Sequence, residues 1–237
     1  MRWYTPNREA QPDRDYSSLA ELGGLDRALD RLQRAYGSSR RLPIFDTEFG
    51  YITSPPKHPT RRLPWVSQAT AAHYLNWAEY ISWHDARVQS FDQYLLYDPV
   101  PALAGNDFGG FASGLLNHDG TPKPTYSAWR LPLYLPATSG RRGHSLEVWG
   151  CIRPASFATT DPGGGPQSAE IQFQAASRGP FATLETIPIT DRHGYFDTHV
   201  TFPSSGTVRL TWNAPSGDNF LAPDRPSYSR RVQVTLR

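Results

Sequence analysis

Leu42-Pro43-Ile44-Phe45-Asp46-Thr47-Glu48-Phe49-Gly50-Tyr51 reads as a short strand ending in a carboxylate, with a glycine and an aromatic residue close behind. Upstream, Ser18-Leu19-Ala20-Glu21 has the form of a capping box. Leu22, Leu25, Leu29, Leu32 and Tyr36 then recur at spacings of three and four, which predicts one buried helical face, and Gly37 is placed to stop the helix. Downstream, Ser67 can cap a second helix with Ala71, Tyr74, Leu75, Ala78 and Ile81 inward. A second strand is expected over 88–96, and a closing helix from Lys123. Helix, strand, helix, strand, helix is the order of βα units on a parallel sheet.

Beyond Leu135 the pattern changes. Residues 137–143 have linker composition, and from 144 only strand signals follow. Strands are expected at 146–152, 169–175, 183–188, 195–200, 207–212 and 231–236, separated by turns such as His193-Gly194 and Ser204-Ser205-Gly206. That spacing suits an immunoglobulin-like or fibronectin-like β-sandwich, with Trp149 and Trp212 as core residues. The expected organisation is therefore 1–136, a 137–143 linker and a 144–237 sandwich.

Composition narrows the function classes. The formal net charge is +2 and the arginine pairs are scattered, so no nucleic-acid stripe is present. No apolar run approaches the ~20 residues of a membrane span. Cys151 is the lone cysteine, which excludes an internal disulfide and a cysteine metal site. His58, His73, His84 and His118 lack metal-ligand spacing, and nothing calls for a cofactor. The N-terminus shows no signal-peptide core, and Met1 is the sole methionine, as expected for a start inside a longer reading frame.

The residues carry a resemblance. Thr47-Glu48-Phe49-Gly50-Tyr51 resembles the end of the seventh strand in clan-A-type retaining glycoside hydrolases, which are (β/α)8 barrels. Val88 to Asp98 resembles their eighth strand. The Gly-Leu-x-x-x-Asp-Gly-x-x-Lys-Pro-x-Tyr run from Gly114 is similar to the approach to their final helix. Trp3-Tyr4-Thr5-Pro6 resembles the segment after the sixth strand, without its histidine. The resemblance implies a partial (β/α)8 barrel, its last strands and helices only, followed by the sandwich as an accessory module.

It also implies that Glu48 is the nucleophile of a hydrolase of O-glycosyl bonds in an oligo- or polysaccharide. Asp46, Tyr51, Trp65 and Tyr94 are the candidate substrate-binding residues, the rings because they offer an apolar face to a sugar. Retaining hydrolysis needs a second carboxyl group as acid and base. The motif that would carry it, an Asn-Glu pair, does not occur in this half, so the chain alone is expected to be inactive and to depend on a missing N-terminal barrel half. The parent protein would be extracellular or cell-surface. Two other readings stay open: a non-catalytic carbohydrate-binding or cell-surface module, and an interaction protein without sugar chemistry.

Overall fold

The structure is a computed structural model, and it describes residues 5–8, 17–53, 65–100, 111–154, 165–176, 179–213 and 226–237. Trp3-Tyr4 and the proline-rich stretch 54–64 lie outside them. The chain divides into two compact units, Met1–Thr125 and Tyr126–Arg237.

The first unit begins with a 3-10 turn, Leu19–Glu21, closed by the capping box at Ser18, whose N–H donates to the Glu21 carboxylate at 3.1 Å. It continues as α1, Leu22–Ala35, and ends where Gly37 adopts a left-handed φ of 73°. Its expected buried stripe is covered only at the start: Leu22 is buried, whereas Leu32 is 56% and Tyr36 87% exposed. Strand β1 (Ile44–Phe49) pairs in parallel with β2 (Val88–Gln93), and α2 (Gln68–Trp83) connects them. Ser67 caps α2 by accepting the Thr70 N–H at 3.1 Å. Helix α2 buries Ala71, Ala72, Leu75 and Ala78, but also Asn76, Glu79 and Ser82, which the apolar pattern did not mark. Arg87, 5% exposed, pairs with Asp30 at 2.8 Å and donates to the Leu42 carbonyl at 2.9 Å. It thereby fastens α1 to the start of β1.

The partial (β/α)8 barrel is overturned. Among the described residues, β1 and β2 hydrogen-bond only to each other. A barrel requires each strand to be paired on both sides. Among the described residues the three helices, α1, α2 and the seven-residue α3 (Pro124–Arg130), are short, and nine of the eleven strands belong to the second unit. The chain is mainly β.

In that unit, β3 (Leu133–Tyr134), β5 (Leu146–Cys151) and β8 (Tyr195–Val200) form one antiparallel sheet. The second runs β4 (Ser139–Gly140), β11 (Val232–Leu236), β9 (Gly206–Trp212), β6 (Gln167–Ala175) and β7 (Ala182–Ile189), with β10 (Ser227–Tyr228) also on β9. The expected linker is thus structured, since Ser139 and Gly140 pair with Thr235 and Leu236. Alternation along β9, β6 and β11 sends Val208, Leu210, Ile171, Phe173, Val232 and Val234 into one core with Val148, Phe196 and Val200. Trp212, 2% exposed, joins this core as its strand position predicts, whereas Trp149, fully buried, lies on the other face of β5 from Val148 and stacks on Tyr195 at 5.6 Å. No helix among the described residues is long and apolar enough to cross a membrane.

Candidate functional site

Glu48 stands one residue before the end of β1, exposed to solvent. Among the described residues its carboxylate has neither an ion-pair nor a hydrogen-bond partner. Register explains part of its presentation. Asp46 pairs with Phe91 and Phe49 with Gln93, so β1 carries one extra residue across Thr47-Glu48. Such a bulge re-aims the side chains it contains.

Asp46 is half-buried. Burial pushes its carboxyl above the usual carboxylate range, the Glu48 N–H donating to it opposes that, and the nearby Asp92 adds to the rise. Because the folded-state pKa of Asp46 is raised, the folded chain holds more protons than the unfolded one just above pH 3.8, so stability falls as pH rises through that window. Asp46→Asn keeps the acceptor and removes the charge. It is expected to raise the thermal midpoint at pH 7 and to leave it unchanged below about pH 3.8, as a pair of melting curves would reveal. An unchanged midpoint at pH 7 would refute this.

The C-terminal ends of both strands are tied to the 111–117 segment. The Tyr94 N–H donates to the Phe49 carbonyl at 2.7 Å. Gln93 Nε2 donates to the carbonyls of Tyr94 and Ser113, each at 2.7 Å, and Ser113 Oγ donates to the Tyr94 carbonyl at 3.1 Å. Gly50 lies against this bracket: a Cβ there would come within 2.9 Å of the Ser113 Cβ. Leu95 follows with φ at 72°, a left-handed conformation costing a leucine roughly 1–2 kcal/mol. It is held by Leu116 N–H to Leu96 C=O at 2.8 Å and Asp98 N–H to Leu116 C=O at 2.9 Å. Strain retained in this way clusters at functional sites.

The structure brings some of the expected residues together. Tyr51 is packed between Phe49, at 5.5 Å between ring centroids, and Tyr74, at 5.1 Å. Burial drives its phenol well above its usual pKa, with Tyr74 adding to the rise, so it remains a neutral donor. It is a packed ring more than an open stacking platform. Tyr94 meets Phe111 edge-on at 6.3 Å. Trp65 is 39% exposed beside Val66, whose N–H donates to the Ile52 carbonyl at 2.9 Å. No ring or hydrogen-bond contact among the described residues joins Glu48 to Trp65 or Tyr94. A groove of about 380 Å³ beside β1 includes Asp46, Phe45, Phe49, Leu22 and Ser82, but not Glu48.

Sequence reading missed the buried polar centre behind this end of the sheet. Lys123 is 1% exposed and donates to Asp98 at 2.5 Å, Thr53 Oγ1 at 2.9 Å and the Ala112 carbonyl at 3.2 Å. Asp98 also accepts the Gly114 N–H at 2.9 Å. A lysine followed by proline just before a helix was the one available signal.

No protein-family model matches the chain, and no curated protein matches it. Among solved structures, it is similar to a putative superoxide reductase from Thermotoga maritima, at 9% identity and a TM-score of 0.32 over 45% of this chain and 85% of that one. A superoxide reductase (neelaredoxin) from Ignicoccus hospitalis follows at 10% and 0.31, covering 45% of this chain and 80% of that one. The sulfur carrier protein SoxY from Chlorobium limicola stands at 11% and 0.29, covering 46% and 79%. Likeness at this level assigns the chain to no family.

Proposed function

We propose that this chain belongs to a retaining glycoside hydrolase acting on an oligo- or polysaccharide, and that Glu48 supplies its nucleophilic carboxylate. The observation that carries the reading is the state of Glu48: exposed at the end of a parallel strand, with no ion-pair or hydrogen-bond partner for its carboxylate among the described residues. An exposed carboxylate free of partners among the described residues can attack an anomeric carbon. Breaking a natural glycosidic bond also requires a proton for the departing oxygen. No segment of this chain carries the motif for that acid, so turnover of natural glycosides by the chain alone is not expected.

The test separates the two steps. Fluoride departs with its electron pair and needs no proton. A 2-deoxy-2-fluoroglycosyl fluoride should therefore allow the Glu48 oxygen to bond to the anomeric carbon as the carbon–fluorine bond breaks. The expected result is one glycosyl adduct on the peptide containing Glu48, found by mass spectrometry and absent from Glu48→Gln. A folded chain that stays unlabelled across a panel of such fluorides would sink the proposal. Sugar binding that persists in Glu48→Gln without any labelling of the parent chain would favour a non-catalytic carbohydrate-binding role.

A further inference from the structure

The outer face of the larger sheet carries two guanidinium groups, Arg209 and Arg231, and the carboxylate of Glu170 is linked to Arg209 only through Gln172. In β9, Arg209 alternates with the buried Val208 and Leu210, so it points away from the core, and Gln172 of β6 lies opposite it in register. The Arg209 guanidinium lies against two rings, 4.0 Å from the centroid of Phe181 and 3.9 Å from that of Tyr228. Its Nε donates to Gln172 Oε1 at 3.0 Å. Arg231 approaches the same Phe181 ring at 5.3 Å and is exposed. Among the described residues neither arginine has a carboxylate within ion-pair distance.

Phe181 and Tyr228 pack against the Arg209 guanidinium, Gln172 takes its Nε–H and Tyr228 a further hydrogen bond, and the N–H groups that remain on its edge are left for a ligand. That edge is the part of a guanidinium that meets a planar carboxylate with two parallel hydrogen bonds. Burial pulls the Arg209 guanidinium below its usual value, Tyr228 opposes that, and the neighbouring Arg231 adds to it. A groove of about 200 Å³ runs past Tyr228 and is lined by Tyr126, Ser127, Ser227 and Pro226. It offers hydroxyls and rings beside the cationic pair.

We propose that this sheet face binds a polyuronate chain, with a uronate carboxylate on Arg209 and Arg231 and the adjoining sugar against Tyr228. Charge complementarity selects the partner: two cations close together on a small patch suit a carboxylate. A nucleic acid would instead need a longer basic stripe than a chain of net charge +2 provides. The site is separate from Glu48 and does not depend on the catalytic reading.

The test is affinity electrophoresis and calorimetry of the full chain with polygalacturonate, using dextran, heparin and duplex DNA as comparators. Polygalacturonate should bind, dextran should not, and added salt should weaken the complex. Arg231→Gln, an exposed change that leaves the core untouched, should lower affinity about tenfold, the scale of one charge-assisted hydrogen bond. Arg209→Gln should do at least as much, and Tyr228→Ala should weaken binding too. Binding here is read without hydrolysis or labelling and through Arg231 and Arg209, so a failure of Glu48 labelling and a failure here are told apart. Absence of binding to polygalacturonate, equal binding to dextran, preference for heparin or DNA, or an unchanged affinity in Arg231→Gln would each overturn the proposal.

Discussion

Lys123→Met should destabilise the first unit by about 3–5 kcal/mol, the range for removing one partner from a buried ion pair. The ammonium has no exposed side-chain surface and Asp98 only 7%. Burial lowers the lysine pKa, and the Asp98 carboxylate works against that by hydrogen bond and charge. Methionine fills much of the lysine stem's volume and supplies none of its three bonds. It would leave the Asp98 carboxylate with the Gly114 N–H as its remaining donor among the described residues, and Thr53 Oγ1 with its bond to the Ala112 carbonyl alone. The damage should concentrate where those partners lie. Amide exchange should accelerate in peptides spanning 49–53 and 111–117, and the urea midpoint should fall. Lys123→Met with Asp98→Asn removes the stranded charge as well and should recover part of the loss, because directly bonded residues are non-additive. A Lys123→Met chain with parental exchange in both segments would show that the network does not hold the strand ends.

This network also marks the limit of what the residues alone disclosed. Local signals with a single physical meaning were read correctly: the Ser18 box, the Ser67 cap, Gly37 at positive φ, and the alternating strands of the sandwich almost residue by residue. Alternation encodes which face is buried, and it stays readable because both sheets of the sandwich bury one face each. What failed was anything that depended on a strand's neighbours. The order of βα elements suggested a partial barrel, yet β1 and β2 pair only with each other among the described residues, and order does not specify edges. The α1 stripe likewise ran past the point where the unit has anything to cover it, leaving Leu32 and Tyr36 in solvent. At the candidate site, Glu48 and Asp46 were legible because a carboxylate at a strand end is unusual. Tyr51 was legible as an aromatic but not as a packed one, since only the fold reveals Tyr74 against it. Gln93 and Ser113 gave no signal, because their role is to donate to carbonyls that only the folded chain presents.

Gly206→Ala should be the most damaging single-methyl addition in the sandwich, costing about 3 kcal/mol, the upper part of the range for overpacking. Gly206 opens the central strand β9, opposite Ala175 of β6 on one side and Val234 of β11 on the other. A Cβ there would sit 2.3 Å from the Gln174 carbonyl oxygen and 2.4 Å from the Phe173 ring. Gly150 offers the comparison. Its Cβ would meet only side-chain atoms, Phe196 at 2.7 Å and Leu210 at 2.9 Å. Rings and methyl groups can shift by rotation, whereas the Gln174 carbonyl belongs to the ladder between β6 and β9 and moves only if β6 does. Gly206→Ala should therefore lower the urea midpoint more than Gly150→Ala and should also loosen exchange protection at 167–175. If Gly150→Ala proved the more harmful, the packing of Phe196 between the sheets, and not the β6–β9 ladder, would be the stiffer element. The distinction matters for the proposed glycan face, because Gln172 and Arg209 sit in that same ladder two register pairs from Gln174. Slackening the ladder should move Arg209 relative to Tyr228, so Gly206→Ala is expected to weaken polygalacturonate binding and Gly150→Ala to spare it.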